Sequence, residues 1–456
     1  MTADIDAGRQ LAGWIRRGLL VLVLTAAAAG AARDTAADTG GTSLQERIDQ
    51  AIAGERLTIP AGTYEGAVVI DKPLVLEAER AGAVVLLHRG EGSALRIEAA
   101  DVTVSGLRIL DETVKTEPTV LVAGDRVRLE GLEITTVSDG IQLRGVQGGE
   151  LRGNVIAWSD QSPAREVRLA AKGNGIDGYD AHRHVIAGNR IRDMHDGIYL
   201  ENSDDNEVTD NELTDSRYGI HCMYTKGTRI IGNRGEGNVT GAMVMNTRDV
   251  EIAGNTFAKQ NENVNSQGLL LFDAHGTLVR HNELAGNRVG IYIEQSADNR
   301  IEANRIMDNY TGIQLISATG NTLRGNELTG NMADAQARGS ADNEITGNFW
   351  DAHRGIDYDG DGYSDTAYAV NPLFAGIVQR RQQLQLLFQS PGMVFLEELY
   401  QADRATWTTD RAPLMAPPMR EEPGAPGAGG WQTGLAGMGL VAATGFLYYV
   451  ARRREG

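Results

Sequence analysis

Apolar and polar residues alternate in short runs through the middle of the chain, and Asn, Gly and Asp interrupt the runs at a fixed spacing. Asn189, Asn211, Asn233 and Asn255 stand 22 residues apart; a 27-residue step leads to Asn282, and Asn304, Asn326 and Asn348 resume the 22-residue period. Upstream, Asn154 and Leu132 keep the register, with a 35-residue excursion between Asn154 and Asn189. Each unit reads like NRIMDNYTGIQLISATGNTLRG. Strands this short, with no helix between them, cannot bury a face alone and must stack on their neighbours. The pattern predicts an all-β fold, a right-handed parallel β-helix with coils of about 22 residues, over residues 44–350. LTIPAGTYEGAVVIDKPLVLEA and ALRIEAADVTVSGLRIL supply its less regular first coils. A stacked Asn tolerates left-handed backbone and bonds the coil above through its amide, so this column reads as scaffold.

The same register says which side chains point outward. In each coil a Gly lies fourteen residues before the next Asn, with Asp334 in its place in the last coil. The first and third residues after it are apolar, as in Ile220 and Cys222 or Ala242 and Val244, and period-two alternation places them inside. Cys222, the only cysteine, is thereby expected in the core and not as a metal thiolate. The second and fourth positions then face outward and bring His221, Met223, Met243 and Met245 into one patch on neighbouring coils, extended by Leu270, Phe272 and Tyr292. Thioether and imidazole suit Cu(I), and an exposed apolar patch marks a contact site. Three readings stand open: a partner-docking surface, a transient copper site within one, or a face covered by another part of the chain.

Composition narrows the class. With 56 Gly, 11 Pro and 5% aromatics in 456 residues, a regularly turning fold is favoured over packed helices. The formal net charge of -18 argues against a nucleic-acid partner. Arg16 and Arg17 ahead of the apolar run Gly18 to Ala29, with small residues to Ala31, predict a signal peptide over 1–31. At the other end a Pro/Gly linker (417–431) leads to an uncharged segment, 432–451, that runs into Arg452, Arg453 and Arg454. That pattern predicts a C-terminal transmembrane helix, hence a periplasmic or extracytoplasmic body tethered to the membrane.

A second constellation follows the last coil. In the acidic loop 351–368, Asp357, Asp359, Asp361 and Asp365 occupy relative positions 1, 3, 5 and 9, with Gly362 at position 6. This resembles the first part of a calcium loop, although Tyr368 stands where the bidentate Glu belongs. A structural Ca²⁺ site and a solvated acidic turn are both compatible with it. Beyond it, 369–416 reads as a helical docking segment: a long helix from Pro372 to Gln389, then a second that starts at Ser390-Pro391 and turns Leu396 and Leu399 to one face.

The Asn-anchored coils, the HCMY coil, NFWDAHRGIDYDGDGYSDTAY and LLFQSPGMVFLEELY, in this order, resemble the NosD family, periplasmic β-helix (CASH-type) proteins of nitrous oxide reductase maturation. The resemblance covers roughly 44–415. It implies an accessory protein, not an enzyme, that works with an ABC transporter membrane subunit and its ATPase, a copper chaperone lipoprotein and nitrous oxide reductase. The cargo implied is copper or sulfur for the copper–sulfur centre. The chain has no G-x-x-x-x-G-K-[ST] loop of its own, in line with a non-ATPase.

The rival class is a polysaccharide-modifying β-helix enzyme of the mannuronan epimerase or lyase type. NGIDGYDAHRH gathers Asp177, Tyr179, Asp180, His182 and His184, and its Asp-Ala-His-Arg is similar to the epimerase Asp-Pro-His-Glu motif with Arg183 in place of the acid. His182 and Tyr179 could form an acid/base pair, and Arg144, Lys172 and Arg183 the basic groove a polyuronate needs. A purely structural or adhesive β-helix is the third reading.

Overall fold

The computed structural model describes residues 43–161, 164–260, 265–370 and 408–418, together with Gly392, Phe395, Leu396 and Leu399, which have helical backbone. The expected signal peptide and transmembrane segment, nearly all of the linker and most of the helical docking segment lie outside the described residues. Among the described residues, no helix is long and apolar enough to cross a membrane.

Thirteen coils stack into a parallel β-solenoid with three faces, two sheets of thirteen strands and one of twelve. Every third strand joins the same sheet, so a residue pairs with its equivalent one coil later, as Cys222 does with Val244. Inward positions carry Ile, Leu and Val; Ile220, Cys222, Val244, Leu269 and Leu271 are fully buried, as the alternation predicts. The Gly column is a matter of clearance: a Cβ at Gly219 would stand 2.5 Å from the Gly241 carbonyl oxygen of the next coil.

The Asn column is a ladder. The backbone and side-chain nitrogens of Asn211 both donate to Asn233 Oδ1, at 3.0 and 2.9 Å, and the pattern repeats from Asn154 to Asn348. Two further ladders escape the single-period reading: Asn299–Asn321–Asn343, and Asn287–Asn309–Asn331, the latter entered through Gln260.

Both ends of the solenoid differ from expectation. The β-helix does not begin at Leu44: Leu44–Gln50 is an α-helix, α1, and the first strand is Arg56–Ile59. Ser43 and Glu46 form a reciprocal capping box that starts α1, and Leu44 and Ile48 turn onto the core. An open solenoid end exposes apolar side chains, and α1 covers them. At the far end the segment expected to be helical from 369 to 416 is strand at both described edges: Tyr368–Val370 pairs antiparallel with Thr408–Asp410. Asp410, fully buried, meets the last rung of the long Asn ladder.

Candidate functional site

The outer face of the twelve-stranded sheet carries the predicted patch. Register pairing sets His221, Met243, Leu270 and Tyr292 side by side in one row, and Met223, Met245, Phe272 and Glu294 in the next. Met223, Met243, Met245, Leu270, Phe272 and Tyr292 are all half-buried, so the strip is accessible but shallow. Tyr292 is anchored by its hydroxyl, which donates to Glu294 Oε2 at 2.9 Å. The face changes character along the solenoid: coils before His221 present Gln142, Asp177 and Tyr199, the two coils after it Met243 and Leu270, and the next two Tyr292 and Gln314.

His221 itself departs from expectation. It points to the outer side but is only 7% exposed. The Tyr199 and Tyr218 rings each lie with their centroids 4.9 Å from its own, the second edge-on at 80°. Its Nδ1 is 2.9 Å from Asp196 Oδ2, and Arg217 clamps the same carboxylate through two bonds of 2.9 and 2.7 Å. Burial pushes the Asp196 carboxyl up, but the bonds from His221 and Arg217 outweigh it and hold the group below the usual range. An ionised carboxylate only accepts, so Nδ1 carries the proton. Nε2 is buried and has no hydrogen-bond partner among the described residues. Beside this group an open pocket of about 380 Å³ is lined by Arg217, Tyr218, Thr240, Gln267, Leu270 and, from the long excursion, Leu169.

Asp196, Arg217 and Tyr218 were not among the sequence candidates. A signal for Asp196 and Tyr218 exists, since the residue just before each column glycine is polar in six successive coils: Asp139, Asn174, Asp196, Tyr218, Thr240 and Gln267. Cys222 is excluded as a ligand, because it is fully buried and burial pushes its thiol up to about 12.

The acidic loop is partly assembled as expected. Asp357, Asp359 and Asp361 bring carboxylate oxygens within 4.8 Å of one another. Asp365 does not join them: its Oδ2 accepts from the Tyr358 N–H at 2.7 Å, closing the loop on itself. Asp357 also accepts from the Gly362 and Gly360 N–H groups, which hold its carboxyl below the usual range.

The enzyme constellation is dispersed into structural roles. His184 is buried, with Nδ1 accepting from the Gly149 N–H and Nε2 donating to the Val146 carbonyl, both at 3.0 Å. His182 lies between Asp180 and the Asp204 N–H. Tyr179 is exposed beneath the Arg144 guanidinium, 5.5 Å from the ring centre. Burial holds the His184 imidazole below its usual range, and burial, then the neighbouring Asp139 charge, push the Asp177 carboxyl up to about 6.

Comparison with known proteins adds four findings. A family model described as "NosD: Periplasmic copper-binding protein (NosD)" matches residues 159–363. A "Probable ABC transporter binding protein NosD" from Pseudomonas aeruginosa is 30% identical over 471 residues, covering 91% of this chain and 99% of that protein. One of the same description from Stutzerimonas stutzeri is 27% identical over 417 residues, covering 80% and 87%. Among solved structures, the catalytic domain of GH87 alpha-1,3-glucanase in complex with tetrasaccharides aligns with a TM-score of 0.53 at 12% identity, over 69% of this chain and 68% of that one. At that identity the likeness concerns the fold alone.

Proposed function

The chain belongs to the NosD family, and from that premise we propose that it is a periplasmic accessory protein, not itself an enzyme, in the maturation of nitrous oxide reductase. In this reading it works beside an ABC transporter and docks the copper-carrying partner or the client reductase during assembly of the copper–sulfur centre. The observation that carries the reading is the half-buried strip of Met223, Met243, Met245, Leu270, Phe272 and Tyr292 on one rigid sheet. Met and aromatic side chains there offer adaptable apolar contact, and a stacked solenoid keeps its geometry while a partner binds and leaves. The C-terminal membrane tether belongs to the same proposal, since it would hold the strip at a set distance from the transporter.

The test is L270D/F272D in the native host, with the copper and sulfide content of its nitrous oxide reductase as readout and thermal melting as a check on folding. A folded variant that leaves the reductase copper-deficient supports docking at this face. Full metal loading sinks it. The Asp357, Asp359 and Asp361 cluster is proposed as a Ca²⁺ site that steadies the loop; a melting temperature unmoved by chelator and by D359N would remove it.

A second reading has one observation in its favour, the Asp177 carboxyl poised near 6 on the same face. It predicts unsaturated or epimerised products from a polyuronate, lost in D177N.

A further inference from the structure

We infer that Asp177, with Asp139 beside it, is a socket for a Lys or Arg side chain of the protein that docks on the adjoining apolar strip. This deepens the docking proposal and rests on it for the identity of the partner.

The argument starts from an oxygen without a hydrogen bond. Asp177 stands on the outer side of the twelve-stranded sheet, two coils before His221, yet it is only 6% exposed. Its Oδ2 accepts from the Asn174 side-chain amide at 3.3 Å, while its Oδ1 is buried with no hydrogen-bond partner among the described residues. The Arg144 guanidinium lies 3.5 Å from Oδ1, near enough to attract it but without the geometry of a hydrogen bond, and leans over the Tyr179 ring, 5.5 Å from its centre. A buried acceptor left unmade costs about 1–3 kcal/mol, more for a charged group. A donor brought from outside therefore gains what the chain itself leaves unsatisfied.

The surroundings select the sign of that donor. Asn174 ties two carboxylates together, since its backbone N–H donates to Asp139 Oδ1 at 2.6 Å while its side chain serves Asp177. On the next coil Glu201 accepts from the Tyr199 hydroxyl at 2.8 Å. The charged groups around Asp177 are thus Asp139, Glu201 and Arg144, so the carboxylates outnumber the one guanidinium. A polyanion meets net repulsion here, and a cationic side chain is the complementary ligand.

Position says where the cation comes from. Asp177 pairs in register with Tyr199, Tyr199 with His221, and His221 with Met243 of the strip. Three strand spacings of about 4.8 Å put the socket about 14 Å from Met243, inside the footprint of one protein partner. A desolvated charge pair beside an apolar patch fixes the register in which the two proteins meet. Burial, then the Asp139 charge, push the Asp177 carboxyl up to about 6 against the pull of Arg144, so the socket empties as pH falls through that value.

Copper-free nitrous oxide reductase of the same host is captured on the full-length protein at about pH 8 and about pH 5, on either side of the Asp177 titration. Wild type is expected to bind at the higher pH and to weaken about tenfold at the lower, as the ionised fraction falls. D177N should bind about tenfold or more weakly at pH 8 (a value of about 8, as above) and lose the pH dependence. D139N removes the charge that raises the Asp177 carboxyl and should move the midpoint to lower pH. R144Q removes the competing guanidinium and should tighten capture, a gain that a merely structural role would not give. Melting temperatures check that each variant folds. A blocked lysine peptide is titrated in parallel and followed by the carboxyl NMR signals, where Asp177 should shift more than the exposed Asp180. D177N that captures the reductase as wild type does at both pH values overturns the socket, as do products from a polyuronate that D177N abolishes. If the peptide shifts Asp177 but the reductase is not captured, the docking reading falls and the cation site stands. If the reductase is captured while D177N and the peptide have no effect, the socket falls and the docking reading survives.

Discussion

Asp410 Oδ2 lies 2.9 Å from the Asn348 backbone nitrogen and 3.0 Å from its side-chain nitrogen, the same two contacts that Asn348 Oδ1 makes to Asn326 one coil earlier. A residue 62 positions along the chain thus acts as the final rung of the ladder. Its carboxylate also accepts from the Trp350 indole N–H and from the Gly347 N–H.

D410A would leave those donors buried without an acceptor. Each such group costs about 1–3 kcal/mol, so a loss of several kcal/mol is expected, concentrated in the last coil. Hydrogen exchange should show Gly347 to Trp350 opening ahead of the central coils. D410N keeps one oxygen for Asn348 and Trp350 but turns an NH₂ toward the Gly347 and Ala412 donors, and should fall between wild type and D410A.

The glycine column predicts a steric defect of a different kind. In G219A the new methyl meets the Gly241 carbonyl at 2.5 Å unless the two coils separate, and separation breaks the strand pairing on both sides. Overpacking of this sort costs about 1–3 kcal/mol. The check is chemical denaturation of G219A beside G131A. Gly131 has a positive φ but nothing within 4 Å of its Cβ, so its penalty should come from backbone strain alone and leave the core contacts intact.

These two cases show what was legible from sequence. Period and alternation carry the coil length, the inward position of Cys222 and the row containing His221 and Met243, because neighbours in a solenoid are one period apart. Contacts that break the period were invisible. Asp410 reaches Asn348 only because the chain returns after an interval with no repeat, and α1 covers the core through a capping box outside the coil pattern. His221 was placed on the right face but with the wrong exposure. Its burial comes from Tyr199, which alternation sets beside it on the preceding coil, and from Tyr218 three residues earlier, which alternation does not place on that face.

Cys222 should be chemically silent. Full burial and a thiol pushed up to about 12 leave almost no thiolate at neutral pH. Native protein is expected to resist a maleimide for hours and to label fully once denatured, as intact mass would show. Rapid labelling of the folded protein would mean that the coil around Ile220 to Val244 opens readily.

Asp334 gives the fold a pH dependence. It stands where earlier coils have the column glycine; its Oδ2 accepts from the Tyr368 hydroxyl at 2.9 Å, and its Oδ1 is buried without a partner among the described residues. Burial pushes its carboxyl up to about 7. The unfolded group titrates near its ordinary value of about 3.9, so between these limits the folded state holds a proton that the unfolded state has lost. Stability from this group is fully present below about pH 4 and is lost as pH rises through about 7. Asp177, raised to about 6, contributes with the same sign. D334N mimics the protonated form, so it should flatten the fall in melting temperature between pH 5 and 8 (about the window set by these groups) and stabilise the protein at pH 8. Y368F removes the hydroxyl that favours the ionised carboxylate and should steepen the fall near neutrality. A D334N curve parallel to wild type across that range would show that Asp334 titrates alike in both states.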